Sequence, residues 1–116
     1  MKKGFSLQRD KKVVAKDKNV SRLVDIEKIT HLTCESYITT VHIINNEDIT
    51  VSRLLKYFEI ELAEYGFLRA NRNTIVNAKN VSGFRNGSEG YIVLVNGEKI
   101  KISRRKMHVF KSYFSN

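Results

Sequence analysis

The sequence has a single cysteine, Cys34, and no apolar run long enough to cross a bilayer. One cysteine cannot form a disulfide within the chain, which favours a reducing environment. Residues 1–7 also lack the apolar segment of a secretory signal peptide. These absences argue against a disulfide-stapled secreted domain and against a membrane protein, and they predict a cytoplasmic protein with no membrane partner.

Sequence signatures of catalysis are also missing. No glycine-rich phosphate loop is followed by Lys and Ser or Thr, and there is neither a dinucleotide fingerprint nor a nucleophile elbow. His31 and Cys34 have a spacing that can suit a metal, but no second pair completes a tetrahedral site. We therefore predict a protein that is not an enzyme and that binds neither a cofactor nor a metal.

Acidic residues are scarce in the second half of the chain. Residues 67–116 contain ten Lys and Arg but only two acids, Glu89 and Glu98, whereas residues 1–66 contain eleven basic and ten acidic residues. A positive field confined to one half indicates a polyanionic partner. A charge that only maintains solubility would not explain this asymmetry, and an anionic membrane surface is the weaker alternative.

The length of 116 residues fits one domain, with a lysine-rich tail or linker over residues 1–12 and a folded domain over residues 13–116. Residues 23–26 are strand-like, residues 25–29 fit one helical turn, and residues 16–19 and 45–48 are typical of turns. The pair Asn96-Gly97 predicts a hairpin. Strands are predicted from β-branched or alternating segments at residues 13–15, 29–34, 37–44, 49–51, 91–95 and 98–103.

An amphipathic helix is predicted over about residues 52–65. Its apolar residues recur at spacings of three and four, so they form one stripe that we expect in the core. Ser52 is the predicted N-cap, and Gly66 suits the left-handed position after the last turn. The stripe consists of Leu55, Phe58, Leu62 and Tyr65.

A short C-terminal helix is predicted over about residues 104–114, with Ser103 as its cap and an apolar inner face. Arg104, Arg105 and Lys106 occupy its first turn, where the positive end of the helix dipole makes cations unfavourable. An anion bound at this terminus would reverse that effect. The alternative is that the three cations are solvated surface charges.

A polar segment between the two predicted helices contains Arg69, Asn71, Arg72 and Asn73, with apolar pairs on either side at 67–68 and 75–76. Arg and Asn form paired hydrogen bonds with base edges, and Arg also binds phosphate. The apolar pairs would hold these side chains still while they face outward. The pattern indicates a nucleic-acid-binding loop, and a polar loop between two strands is the alternative.

Two motifs together resemble the LytTR DNA-binding domain of bacterial response regulators. The first is Phe-Leu-Arg-Ala-Asn-Arg-Asn-Thr-Ile-Val-Asn at residues 67–77, followed by Val81, and the second is Ile-Ser-Arg-Arg at residues 102–105. The resemblance extends over about residues 13–114. Asn71, Asn73 and Thr74 stand where the family usually has His, Ser and an aromatic residue.

This resemblance implies an elongated, mainly antiparallel β fold of small sheets, in which loops rather than a recognition helix enter the major groove. The implied function is sequence-specific DNA binding for transcriptional regulation in a two-component system. By charge and neighbourhood, the predicted phosphate contacts are Lys79, Lys101 and Lys106. The base-contacting loops implied by the family are Ser36-Tyr37, Asn71-Arg72 and Arg104-Arg105.

The implied partner is double-stranded DNA, and a second copy of the chain on tandem repeat sites is a further expectation. A receiver domain or sensor partner is expected to lie outside this chain, which is then either an excised effector domain or a stand-alone regulator. The alternative function is a basic β-domain that binds a protein or an anionic surface as a regulatory module. The pairing of the two arginine motifs favours DNA, because the alternative has no need of it.

Overall fold

The computed structural model describes residues 12–17, 20–45 and 48–114. Within these ranges the chain forms ten strands, two α-helices and four 3-10 turns. The helices are α1 (Leu55–Leu62) and α2 (Met107–Phe114), and the 3-10 turns are Ile26–Lys28, Ala63–Tyr65, Ala78–Asn80 and Arg104–Lys106. The strands are β1 (Lys12–Asp17), β2 (Val20–Asp25), β3 (Ile29–Glu35), β4 (Ile38–Ile43), β5 (Ile49–Val51), β6 (Phe67–Asn71), β7 (Thr74–Asn77), β8 (Val81–Arg85), β9 (Tyr91–Leu94) and β10 (Lys99–Lys101).

The described strands form three antiparallel sheets. The largest has the strand order β5-β4-β3-β7-β6, the second has the order β10-β9-β8, and the third pairs β1 with β2. The domain measures 43 × 31 × 26 Å along its principal axes. These features confirm the predicted fold, which is elongated and mainly β, with small antiparallel sheets, one amphipathic helix and a short C-terminal helix.

Two clusters of buried side chains hold the described sheets and helices together. The first core packs α1 against the five-stranded sheet, and the second packs α2 against the three-stranded sheet. Hairpin β6–β7 contributes to both, since Phe67 and Ile75 belong to the first core and Ala70 and Val76 to the second. All four residues of β7 are buried, so this hairpin lies between the two cores.

Helix α1 begins later than the sequence predicts. Its first residue is Leu55 rather than Ser52, and the preceding residue, Leu54, has an extended backbone and no side-chain cap. The prediction of Ser52 as the N-cap is therefore wrong. Tertiary contact decides the helix start, because the Thr39 hydroxyl on β4 donates a hydrogen bond to the Arg53 carbonyl and holds this segment outside the helix.

The predicted apolar stripe of α1 is confirmed. Leu55, Phe58 and Leu62 are at most 3% exposed and belong to the first core. Tyr65 lies in the 3-10 turn that continues the helix, and it packs half-buried against the same core. Gly66 follows at a φ of 84°, the left-handed conformation that a residue without a Cβ adopts without strain.

Helix α2 begins at Met107, after the 3-10 turn. The predicted Ser103 side-chain cap is wrong, because the Ser103 hydroxyl caps no amide. The Ser103 carbonyl oxygen instead accepts a hydrogen bond from the Lys106 amide at 3.0 Å, so the main chain of the turn satisfies that donor. The predicted apolar face is present, with Phe110 fully buried and Met107 and Phe114 partly buried on the second core.

The second hairpin follows its sequence pattern closely. Asn96-Gly97 lies in the turn between β9 and β10, with Gly97 at a φ of 94°. β9 is the central strand of its sheet, as predicted. On β10, Ile100 is buried while Lys99 and Lys101 are exposed.

Near the N-terminus, the predicted helical turn at residues 25–29 forms as the 3-10 turn Ile26–Lys28. Residues 16 and 17, which the sequence predicts as part of a turn, instead continue β1, because both pair with β2. The remaining residues of two predicted turns, 18–19 and 46–47, lie outside the described residues. So does the predicted tail, apart from Lys12, which begins β1.

Candidate nucleic-acid interface

Hairpin β6–β7 carries the polar segment that the sequence singles out. Arg72 and Asn73 form its turn, and both are exposed. The pairing register shifts by one residue between Arg69 and Asn71, so Ala70 is an extra residue on β6. Such an irregularity bends a strand and re-aims the side chains beside it.

Arg69 turns back onto its own hairpin. Its Nε donates a hydrogen bond to the Asn71 carbonyl at 2.9 Å, and Nη2 donates to the Arg72 carbonyl at 2.6 Å. Nη1 lies 2.6 Å from a carboxylate oxygen of Glu59 on α1. The expectation that Arg69 faces outward with its neighbours is therefore wrong, because the turn carbonyls and Glu59 satisfy its guanidinium.

Asn71 joins the same turn to the second sheet. Its Nδ2 donates a hydrogen bond to the Lys101 carbonyl of β10 at 2.7 Å, and its Oδ1 accepts one from the Asn73 amide at 2.9 Å. Both ends of the side-chain amide are thus engaged within the domain. Asn71 fixes the turn in place, while Arg72 extends from it.

The loop after β10 lies beside this turn. The Ser103 amide donates a hydrogen bond to the Ala70 carbonyl at 2.9 Å, which attaches the loop to β6. Arg104 and Arg105 follow immediately and are exposed, and Lys106 is half-buried. The two arginine motifs, which are about thirty residues apart in the sequence, therefore meet through main-chain contacts.

An open cleft of about 460 Å³ lies between the exposed side chains of the two motifs, and both motifs line it. Four of its lining residues are cations, so it suits a negatively charged group. Four of the predicted DNA contacts are brought together here: Asn71, Arg72, Arg105 and Lys106. The lining residues are Glu59, Arg69, Asn71, Arg72, Ser103, Arg105 and Lys106.

The predicted Ser36-Tyr37 loop is the turn between β3 and β4. Ser36 has a left-handed backbone with a φ of 58°, and Tyr37 is 73% exposed. The Cys34 amide donates a hydrogen bond to the Asn73 carbonyl at 2.9 Å, which places this turn next to the β6–β7 turn. All three predicted loops, residues 36–37, 71–72 and 104–105, thus lie at one end of the domain, which is named the loop end.

A basic row on the outer face of the three-stranded sheet adjoins the loop end. Arg85 and Lys101 both pair with Tyr91, one from each side. The hydrogen bond from Arg85 and the charge of Lys99 hold the pKa of the Tyr91 hydroxyl below its usual value. Of these three cations, only Lys101 is a DNA contact predicted from the sequence, although the alternation of β10 also places Lys99 on its exposed face.

Lys79 stands apart from the other predicted contacts. It is exposed in the 3-10 turn that follows β7, whereas the β6–β7 turn precedes that strand. The four residues of β7 span roughly 13 Å. The cavity that Lys79 lines also contains two carboxylates, Glu27 and Glu64, so its surroundings are not uniformly positive.

The opposite end of β3 holds a polar cluster that the sequence pattern does not predict. The rings of His31 and His42 stack with their centroids 4.1 Å apart. The His42 Nδ1 lies 2.9 Å from a carboxylate oxygen of Asp48, and the His31 Nε2 lies 3.7 Å from one of Glu98. The cluster His31, His42, Asp48 and Glu98 is named the histidine end. Its members come from separate strands and turns, so only the strand register could have predicted it.

Within the histidine end, His31 is only 3% exposed. Burial, and then the charge of His42, lower the pKa of His31 to about 4, against the opposing effect of the Glu98 and Asp48 carboxylates. The Thr30 hydroxyl lies 2.8 Å from the His31 Nδ1. In the described part of the chain, no group of three or more His, Cys, Asp or Glu side chains has a geometry that could hold a metal ion.

The loop end thus offers exposed guanidinium groups on loops whose main chain is fixed. Guanidinium groups can form bidentate hydrogen bonds with phosphate or with a guanine edge.

None of the helices in the described ranges has the length and apolar character needed to span a bilayer.

Comparison with known proteins identifies the fold and the family of this chain. A solved structure described as the LytTr DNA-binding domain of a response regulator from Bacillus cereus matches with a TM-score of 0.76 at 21% identity, over 90% of this chain and 97% of that one. No curated protein sequence matches. The family model of the LytTr DNA-binding domain matches residues 19–115. The chain therefore belongs to the LytTR family of DNA-binding domains.

Proposed function

We propose that residues 13–116 form a sequence-specific DNA-binding domain that regulates transcription by inserting three loops into the major groove. One observation carries this proposal. The Arg72 turn and the Arg104-Arg105 loop are fixed side by side, by the hydrogen bonds from Asn71 to the Lys101 carbonyl and from Ser103 to the Ala70 carbonyl. These two bonds hold the main chain of both loops, and the side chains of Arg72, Arg104 and Arg105 remain exposed.

In this proposal Arg72 and Arg105 read base edges, since a forked guanidinium is the commonest side chain to contact guanine specifically. Arg104, Ser36 and Tyr37 make further contacts from the loop end. Asn71 contributes by placing the turn. Lys101 and Lys106 act as point charges on phosphates. Lys79 is kept as a peripheral phosphate contact, because it lies at the far end of β7.

The proposal includes double-stranded DNA as the partner, a cytoplasmic location and a binding role rather than an enzymatic one. Membership of a DNA-binding family supports all three. A second copy of the chain on a tandem repeat site and a receiver or sensor on another chain complete the proposal. The DNA partner accounts for the net charge of +8 on residues 67–116.

The test is selection of bound duplexes from a random pool, followed by titration of the selected and scrambled duplexes at one salt concentration. We expect the selected duplex to bind at least about tenfold more tightly, the discrimination that one bidentate base contact supplies. Arg105→Ala should remove most of that preference, whereas Arg22→Ala should keep it, because Arg22 is exposed on β2 outside the three loops. Equal affinity for selected duplex, scrambled duplex and heparin would instead identify a general polyanion binder.

A further inference from the structure

We propose that Glu59 and Arg69 form a positioning pair that sets the shape of the β6–β7 turn and thereby the base preference of Arg72. This inference rests on the proposed function and assigns a specificity role to two residues that do not themselves touch DNA. Arg69 is the connection between helix α1 and the turn, and Glu59 holds Arg69 in place.

The main chain of this turn is bonded at every carbonyl. Ala70 and Asn73 carbonyls accept from the Ser103 and Cys34 amides. The two carbonyls between them, of Asn71 and Arg72, accept from Nε and Nη2 of the single Arg69 guanidinium. A planar guanidinium bonded to two successive carbonyls fixes the orientation of both peptide planes relative to each other. Arg69 therefore controls the direction in which the Arg72 side chain leaves the turn.

Glu59 decides whether Arg69 can do this. The carboxylate lies 2.6 Å from Nη1, the guanidinium nitrogen that does not bond a turn carbonyl. The Arg69 side chain is only 18% exposed, so its charge is poorly placed for phosphate. Without Glu59, the guanidinium would lose one of its three anchors and its charge would be unneutralised beside a cationic cleft.

The position of Glu59 also needs an explanation on electrostatic grounds. Among the described residues that line the cleft, Glu59 is the one acid. A carboxylate at the edge of a DNA-binding surface repels phosphate and weakens binding to any sequence. The Glu59 carboxylate is an advantage if it increases the preference for one DNA sequence, even though it lowers the affinity for DNA of any sequence.

The two effects of Glu59 have opposite signs, and this gives the proposal a distinctive test. Glu59→Gln keeps the size of the side chain but removes its charge, so the charge-assisted hydrogen bond from the Arg69 Nη1 becomes a weaker neutral one. We expect its affinity for scrambled duplex to stay equal or to rise a few-fold, because a repulsive charge is gone. We expect its preference for the selected duplex to fall about tenfold, as the Arg72 fork loses its alignment with one base pair. A residue that only stabilised the fold would lower both affinities together.

Glu64→Gln is the matched control, since Glu64 is an exposed acid on the following 3-10 turn and lines a different cavity. Its preference should stay within about twofold of wild type, because distant independent sites rarely couple. Arg69→Lys is the second variant. It keeps the positive charge but cannot fork onto two carbonyls, so its preference should fall like that of Glu59→Gln.

Adding Glu59→Gln to an Arg72→Ala background should cause no further loss of preference, because the pair acts through Arg72. Titrations of the four proteins in this cycle, with thermal melts to confirm folding, decide the question. If Glu59→Gln and Arg69→Lys keep the wild-type preference, or if the two losses add, the positioning role is overturned. If wild type itself shows no preference between selected and scrambled duplexes, the proposed function fails first, and the two failures are thus distinct.

Discussion

The loop end and the histidine end use polar side chains in opposite ways. At the loop end, Arg69 and Asn71 bind main-chain carbonyls, and the side chain that follows them in the turn, Arg72, is left exposed. At the histidine end, the two stacked rings bind neighbouring side chains and one of them, His31, is almost completely buried. The polar groups of the loop end hold the main chain around exposed cations, whereas those of the histidine end hold one another.

The largest expected effect comes from a substitution in the first core, which supports both ends of the domain. Phe58 is 1% exposed in the first core beneath the five-stranded sheet. Phe58→Ala should lower the free energy of unfolding by about 3–5 kcal/mol, as buried phenylalanine truncations do. Urea unfolding measures this loss. Tyr57→Ala is the control, because Tyr57 is the next aromatic on α1 and is 47% exposed. A Phe58→Ala protein of wild-type stability that no longer binds DNA would show that the stripe is a recognition surface.

The second effect acts on the histidine end alone. Burial lowers the pKa of His31 to about 4, so between about pH 6.5 and pH 4 the unfolded chain binds a proton at this residue and the folded protein does not. The free energy of unfolding is therefore highest above pH 6.5 and declines as the pH falls toward 4. Between pH 7.5 and pH 5 the free energy of unfolding should drop by about 2 kcal/mol from this group.

The measurement is urea unfolding at both pH values, for wild type and for His31→Gln. The variant should lack this part of the pH dependence, because it has no proton to gain. His108→Gln, which replaces an exposed histidine on α2, should behave like wild type. An identical pH dependence in wild type and His31→Gln would contradict the assignment of the lowered pKa to His31.

The third effect acts on the loop end alone. Arg72→Ala should weaken binding to the selected duplex by roughly 1–3 kcal/mol, the contribution of a bidentate contact with guanine. Binding to scrambled duplex should change much less, and preference should relax at one base pair. The melting temperature should stay unchanged, since the side chain is exposed. Equal losses on both duplexes would mean that Arg72 only holds the DNA backbone, and Tyr37 would become the next candidate for base reading.

The smallest expected effect distinguishes phosphate contacts from base contacts at the loop end. Lys101→Ala removes an exposed charge but keeps the carbonyl that accepts from Asn71. It should weaken selected and scrambled duplexes alike, and it should reduce the slope of log affinity against log salt by about one unit from a wild-type magnitude of at least ~4. Titration at several salt concentrations measures the slope. A flat salt response in wild type would exclude phosphate contacts altogether.

The sequence predicts what depends on neighbours in the chain. Alternation on β10, the Asn96-Gly97 turn and the three-and-four spacing of Leu55, Phe58 and Leu62 all produced the expected elements. In each of these segments the side-chain period and the local turn chemistry agree with the tertiary packing.

What the sequence did not predict depends on contacts between distant residues. Ser52 fails as a cap because Thr39 on β4 holds the segment before α1. Arg69 turns inward because Glu59, ten residues earlier, lies within reach of it. The histidine end needs the register of β3 on β4, which pairs His31 with His42. Local pattern carries no information on such pairings, whereas the strand register determines them.

The position of hairpin β6–β7 between the two cores limits how this protein can evolve. Its side chains alternate between the cores, so inserting or deleting one residue in either strand would turn residues of one core toward the other. The lengths of both strands are therefore fixed by packing on both sides. The side chains of Arg72 and Asn73 are exposed, so replacing them leaves both cores unchanged, and this turn tolerates substitutions where it does not tolerate insertions.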